Sequence, residues 1–359
     1  MKEKRIERVL EKLGAMGLEQ MVVADAISIL YLTDIWVDAG ERLVALYLNR
    51  NGKHCLFVNH MFTLPAEPGV EVVRFSDTDP YLELLGARID REKVLGVDKV
   101  MPARFLLPLM EQGCAAGFVN SSLCVDETRA IKDEEEKEAM KRVSAINDQA
   151  MARFKELLKE GVTERQVAGQ MKEIYQSLGA DDLSFPPSVC FGANGAVGHY
   201  RCGDVALKPG DCVLMDVGCI KDHYCADMTR TFFFKKMEKE EHQRVYELVL
   251  AANRAAEAMV RPGVRFKDID RAARNIIEEA GYGSCFTHRL GHFIGMEVHD
   301  YGDVSAANEE YTQAGQIFSI EPGIYLEGEM GVRIEDLVLV TEDGCEILNS
   351  YSKELEVLQ

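Results

Sequence analysis

The chain has 359 residues, 47% of them apolar and 28% charged, and its 60 acidic and 41 basic side chains give a net charge of −19. That length suggests two domains at about 150 residues each, and the composition is that of a folded chain rather than a disordered one. The acidic balance argues against a nucleic-acid partner and an anionic membrane surface; no apolar run reaches the ~18 residues of a spanning helix, and the charged start lacks a signal-peptide core, so a cytoplasmic protein is expected.

Ile6, Val9, Leu10 and Leu13 recur at helical spacing, and Gly17 can end that helix. Short apolar strands are expected at 21–24 and 29–33. Segments 43–48 and 54–58 flank Asn49, Arg50, Asn51 and Gly52, a turn signal, and read as a hairpin. Strands at 94–97 and 117–120 enclose a helix over 104–110. Neither GxxxxGK[ST] nor a strand followed by GxGxxG occurs, so no phosphate loop is expected. None of the ten cysteines forms CxxC, and they read as reduced, mostly apolar thiols.

A boundary near 121–133 divides the chain into domains 1–125 and 126–359. The first is α/β; the second reads as α+β. The charge run from Lys132 to Lys137 reads as a solvated first helical turn, followed by helical spacing through Met140, Val143, Ile146, Ala150, Phe154 and Leu157. Thr163 with Gln166 is a capping box opening a second helix. A second helix pair, 239–260 and 266–280, again leads to strands and a hairpin. The pattern helix, helix, strands, hairpin thus occurs twice, which predicts two related halves with a cleft between them.

Both hairpins carry paired acids. If Lys221 and Asp222 form a two-residue turn, Asp216 and Asp227 oppose one another with Cβ atoms about 5 Å apart. A hairpin centred on Gly328 opposes Glu321 and Glu335 in the same way. Carboxylates facing each other on apolar strands repel unless a cation lies between them. Three of the eight histidines, His288, His292 and His299, fall in one short stretch that is not HExxH. One imidazole with four carboxylates is an oxygen-rich set for two divalent ions, suited to manganese, cobalt or iron and compatible with zinc.

The strings DVGCIKDHYCADMTRT, THRLGHFIGMEVHD and SIEPGIY with GVRIED resemble the signatures of the metal-dependent "pita-bread" peptidases, nearest the Xaa-Pro dipeptidases (prolidases) and Xaa-Pro aminopeptidases. The resemblance covers nearly the whole chain, including a creatinase-like N-terminal domain. It implies a pita-bread catalytic domain with pseudo-twofold halves, ligands Asp216, Asp227, His292, Glu321 and Glu335, and bridging roles for Asp227 and Glu335. The metals it implies are two ions per chain, manganese or cobalt first. It further implies that His199, His299 and Arg333 orient substrate and stabilise the intermediate, with Tyr325 and Thr229 as supporting groups and Glu321 as proton shuttle. Phe293 stands where many members have glycine and is expected to narrow the substrate pocket; Asp300 replaces a common Glu. The implied reaction is hydrolysis of the Xaa-Pro bond, in dipeptides or, as an aminopeptidase, in longer peptides. The implied partners are a proline-containing peptide and a second copy in a homodimer. Another C–N hydrolase, or a silent binding module on the same scaffold, are the competing readings.

Overall fold

In the computed structural model, which describes every residue except Glu67 and His199, the chain divides into two compact units, Met1–Thr128 and Arg129–Gln359. In the first, α1 (Glu3–Ala15) buries Ile6, Val9 and Leu13, the stripe read from the sequence. There follow β1 (Gln20–Val23), α2 (Ala26–Thr33), β2 (Val44–Asn49), β3 (Cys55–Asn59), β4 (Glu71–Phe75), α3 (Tyr81–Gly86), β5 (Val94–Val97), α4 (Ala103–Glu111) and β6 (Gly117–Asn120), and α5 (Leu123–Ala130) leads out. The sheet runs β4-β3-β2-β1-β5-β6. The expected hairpin forms, with Val44 opposite Val58. Segment 29–33 is helix, not strand. Asp25 caps it by accepting from the Ser28 amide at 2.9 Å, and residues 28–33 are all buried. An apolar run buried on every side carries no period to tell the two apart.

In the second unit α6 (Glu134–Lys155) opens with a capping box between Asp133 and Glu136. The charge run before it is not wholly solvated: Lys132 and Glu136 are buried, and the Lys132 ammonium lies 3.1 Å from Asp300. The Thr163–Gln166 box starts α7 (Glu164–Ser177). Then come β7 (Asp182–Leu183), β8 (Ser188–Phe191), β9 (Cys212–Val217), β10 (Cys219–Lys221), β11 (Tyr224–Cys225) and β12 (Met228–Phe234). The pattern repeats as α8 (Glu240–Met259), α9 (Phe266–Glu279), β13 (Gly291–Phe293), β14 (Asp300–Val304), β15 (Ile317–Ile320), β16 (Gly323–Leu326), β17 (Met330–Arg333) and β18 (Asp336–Val340), with β19 (Cys345–Ile347) and β20 (Val357–Leu358) at the end.

Each half has its own core. α6 and α7 bury Met140, Val143, Phe154, Met171 and Tyr175 against Val213, Met215 and Phe232. α8 and α9 bury Val245, Val249, Phe266 and Ile269 against Phe293, Phe318 and Val338. Each such side chain contributes roughly 1.5–3 kcal/mol by leaving water, enough to hold the acid-bearing strands against a fixed backing. β8, β9, β12 and β20 form one sheet, and β13, β14, β15, β18 and β19 another. The ten cysteines are all free thiols, seven of them buried. Among the described residues no helix is long and apolar enough to cross a membrane.

Candidate metal centre

The first hairpin turns one residue later than the sequence suggests. Asp222 and His223 occupy the turn with φ of 49° and 67°, and Lys221 faces Tyr224. Asp216 therefore faces Thr229 rather than Asp227, which lies two residues away along the partner strand. A displacement of two residues preserves parity, so both acids stay on one face. Gly218 makes the close approach feasible: a Cβ there would stand 2.1 Å from the Ala226 carbonyl oxygen.

The second hairpin keeps the expected register. Ile320 faces Asp336 and Gly323 faces Arg333, so Glu321 and Glu335 oppose one another in a gap between the β15–β18 and β16–β17 ladders. The gap has a physical purpose. The Glu321 amide donates to Leu290 O at 2.8 Å and the Glu335 amide to Thr229 O at 3.1 Å. Each glutamate backbone is thus tied to a segment beside another site residue, His292 or Asp227.

β13 presents His292 to the same cavity. Its Nδ1 lies 3.2 Å from the Phe293 carbonyl, which can only accept, so Nδ1 donates there and Nε2 is the nitrogen turned inward. Nε2 stands 3.5 Å from Asp227 Oδ2, 3.6 Å from Glu321 Oε1 and 3.9 Å from Glu335 Oε1. Ligand atoms of Asp227, His292 and Glu335 all lie within 4.8 Å of one another, and all three residues are buried. Thr229 donates to Glu335 Oε2 at 2.7 Å, and Ser319 donates to Glu321 Oε1 at 3.2 Å and accepts from the His292 amide at 3.0 Å.

Burial pushes the carboxyl groups of Asp216, Asp227 and Glu335 up, and the neighbouring carboxylates push Asp227 and Glu335 further. For Asp216 the Arg333 guanidinium opposes that rise. Among the described residues, Asp216 Oδ1 and Asp227 Oδ1 are buried without a hydrogen-bond partner. Such buried oxygens, facing carboxylates and an inward imidazole nitrogen fit divalent cations. Asp216, Asp227, His292, Glu321 and Glu335 are the residues that would hold them.

Beside the acids runs a polar row. Arg333 Nη2 donates to Asp216 Oδ2 at 2.6 Å, Nε to Thr229 at 3.1 Å and Nη1 to the Tyr325 hydroxyl at 3.1 Å. His288 Nε2 meets the same hydroxyl at 2.8 Å while its Nδ1 donates to Arg289 O at 2.7 Å. Burial lowers the His288 pKa, which favours the neutral ring. The sequence pattern gives His288 no role and does not single out Ser319. Ser319 was recoverable, because it stands two residues before Glu321 on the same strand face. His299 is exposed and edge-on to His292, ring centroids 4.2 Å apart.

Phe293 corrects the expectation of a pocket wall. Strand alternation turns it away from His292 into the core, 3% exposed, where it stacks on Phe318 at 5.7 Å and meets Phe266 at 5.3 Å. His199 lies outside the described residues.

A carboxyl group whose folded pKa is raised contributes stability that is full below its unfolded value, about 4, and lost as the pH climbs through the folded one. The metal-free protein is therefore expected to lose stability on going from mildly acidic to neutral pH. Asp227→Asn should remove part of that loss, on the order of 1–3 kcal/mol for a buried unpaired group. Thermal melts of chelator-treated protein across pH check this; a variant whose profile parallels the parent's would contradict it.

Comparison with known proteins follows the same outline. The model of Metallopeptidase family M24 matches residues 138–342, and that of the Creatinase/Prolidase N-terminal domain matches residues 5–131. An uncharacterized peptidase of Staphylococcus aureus (strain MSSA476) is 36% identical over 357 residues, covering 97% of this chain and 99% of that one. Among solved structures, recombinant prolidase from Thermococcus sibiricus is 32% identical with a TM-score of 0.91, over 100% of this chain and 99% of its own. Dipeptidase PepE from Mycobacterium ulcerans is 32% identical with a TM-score of 0.92, over 99% and 98%.

Proposed function

The chain belongs to metallopeptidase family M24, and on that footing we propose that it hydrolyses the Xaa-Pro peptide bond of dipeptides with two divalent ions, manganese or cobalt, held by Asp216, Asp227, His292, Glu321 and Glu335. The observation that carries the reading is the convergence of three buried ligand types on one point, with Glu321 at its edge and the Arg333–Tyr325–His288 row alongside. The likeness to proteins called prolidase and dipeptidase, over essentially the full chain, supports the substrate class.

Bound ions supply Lewis-acid polarisation of the scissile carbonyl and an acidified water. The rest falls to the chain. An Xaa-Pro bond is a tertiary amide, so the departing ring nitrogen must receive a proton. Glu321 is suited to carry it: its side chain is 16% exposed, against 6% for Asp227 and 2% for Glu335, and its Oε2 stands clear of Arg333 Nε at 3.9 Å, whereas Asp216, at 21%, is tied to Arg333 Nη2 at 2.6 Å. To His299, exposed and edge-on to His292, this reading gives donation to charge developing on the carbonyl oxygen. Arg333 is committed to Asp216, Thr229 and Tyr325, so its part is to hold Asp216 and lend positive charge to the rim. With Phe293 turned away, contact with the proline ring falls to His288 and Tyr325, whose ring centroids are 5.5 Å apart. His199 enters this reading only through its place in the sequence motif, as a further substrate-binding and catalytic residue. The same resemblance implies a homodimer.

Kinetics with manganese on Ala-Pro, Met-Pro, Ala-Ala, Met-Ala and Ala-Pro amide test the reading. A filled ring contact is worth roughly 10- to 200-fold in kcat/KM, so the proline dipeptides are expected to lead by that margin and the amide to be slower than its acid. Equal kcat/KM for Xaa-Pro and Xaa-Ala would reject proline specificity. Indifference to amidation would favour an aminopeptidase.

A further inference from the structure

The two glutamates sit where paired strands stop pairing with each other, and something must set the width of that gap. Asn253, on α8, is fully buried and reaches it from behind. Its Nδ2 donates to Ile320 O at 3.1 Å and to Ile334 O at 3.4 Å. These are the carbonyls immediately before Glu321 and Glu335, one on each strand. The amide is itself fixed, since Oδ1 accepts from Lys353 Nζ at 2.8 Å. Lys353 is anchored in turn by Glu257 at 2.6 and 2.7 Å and by Asp336 at 2.8 Å.

The other half has a counterpart. Asn147 lies thirteen residues beyond Glu134, the first residue of α6, as Asn253 lies thirteen beyond Glu240, the first of α8. Asn147 is likewise fully buried, and its Nδ2 donates to Val217 O at 3.1 Å, the residue after Asp216, where β9 ends. Its Oδ1 accepts from the Tyr175 hydroxyl at 2.5 Å. Each half thus uses a helix-borne amide, oriented by a second donor, at the break that carries its acids.

We propose that Asn253, braced by Lys353, is a positioning residue that fixes the separation of Glu321 and Glu335 and thereby tunes the affinity of the centre for divalent ions. This rests on the reading that these carboxylates hold metal. A short neutral amide suits the task. It offers two N–H donors in one plane to two carbonyls, which neither an aliphatic residue nor a carboxylate can do. Groups that orient metal ligands affect affinity without touching the metal.

The test is a calorimetric titration of the chelator-treated full chain with Mn2+. Asn253→Leu, of similar volume, is expected to weaken binding roughly 10- to 100-fold. Lys353→Met, which keeps the amide but frees it, should shift binding in the same direction by less, and it carries the test if Asn253→Leu does not fold. Val249→Ala, a cavity in the same core one turn away, should lower the melting temperature while leaving Mn2+ affinity as in the parent. Affinity unchanged in Asn253→Leu, or in Lys353→Met where only that variant folds, would overturn the inference. So would an equal loss of affinity in Val249→Ala, which would make the effect one of general stability. A parent chain that takes up no Mn2+ would instead overturn the metal reading itself, and this inference with it.

Discussion

Glu321→Gln is expected to lower kcat on Ala-Pro by roughly 10²- to 10⁴-fold, the range seen when a positioned proton carrier is removed. Glutamine has nearly the same shape and can keep the bond from Ser319, which reaches Glu321 Oε1 at 3.2 Å. The fold should therefore survive, and the loss should trace to the missing charge. Metal affinity is expected to fall as well, because a carboxylate ligand becomes a neutral amide. Measuring kcat at saturating Mn2+ separates the two effects. Restoration to near the parent rate at high Mn2+ would leave Glu321 as a ligand only and remove it from proton transfer.

The largest effect on stability should come from Arg230→Met. Arg230 is 1% exposed and donates to Asp336 Oδ1 at 2.6 Å, Glu335 O at 2.7 Å, Tyr351 O at 2.8 Å, Thr229 O at 3.0 Å and Ser352 O at 3.2 Å. Burial alone would raise the Asp336 pKa, but Arg230 and Lys353 outweigh it and hold the carboxyl below its ordinary range. Its stabilisation is present above the unfolded pKa, about 4, and lost as the pH falls through the folded value. Glu257, which shares Lys353, is pushed up to about 7 by burial and by Asp336. Removing the guanidinium leaves one lysine between two buried carboxylates. Breaking such a pair costs about 3–5 kcal/mol. Urea unfolding at neutral pH measures it, and a change below about 1 kcal/mol, the scale of an exposed pair, would show that the network adapts.

Much of the site was legible because strands have a period of two. The acids stood out as charged residues on apolar strands, and their spacing around a turn put them on one face. The true turn at Asp222 and His223 moved the pairing by two residues, yet parity protected the conclusion. The same period, applied to His292 and its neighbour, turns Phe293 into the core; the family resemblance bears on its identity and not on its direction. Segment 29–33 failed for the opposite reason, since a segment buried all round has no face to read. Asn147, Asn253 and Arg230 gave no linear signal. All but one of their backbone partners are carbonyls 67 to 122 positions away in the chain, and which carbonyls those are depends on the fold.

Asp216 and Asp227 belong to one half of the catalytic unit, and His292, Glu321 and Glu335 to the other. An ion gripped by both sets would close chain loops of 65 residues, from Asp227 to His292, up to 119, from Asp216 to Glu335, and cross-links that span long loops remove the most freedom from an unfolded chain. The centre is then a removable staple as well as a reagent. A cell poor in the right metal would hold this protein with its seam loosened, inactive and easier to unfold, so that supply of the ion governs how long the chain lasts as well as how fast it works.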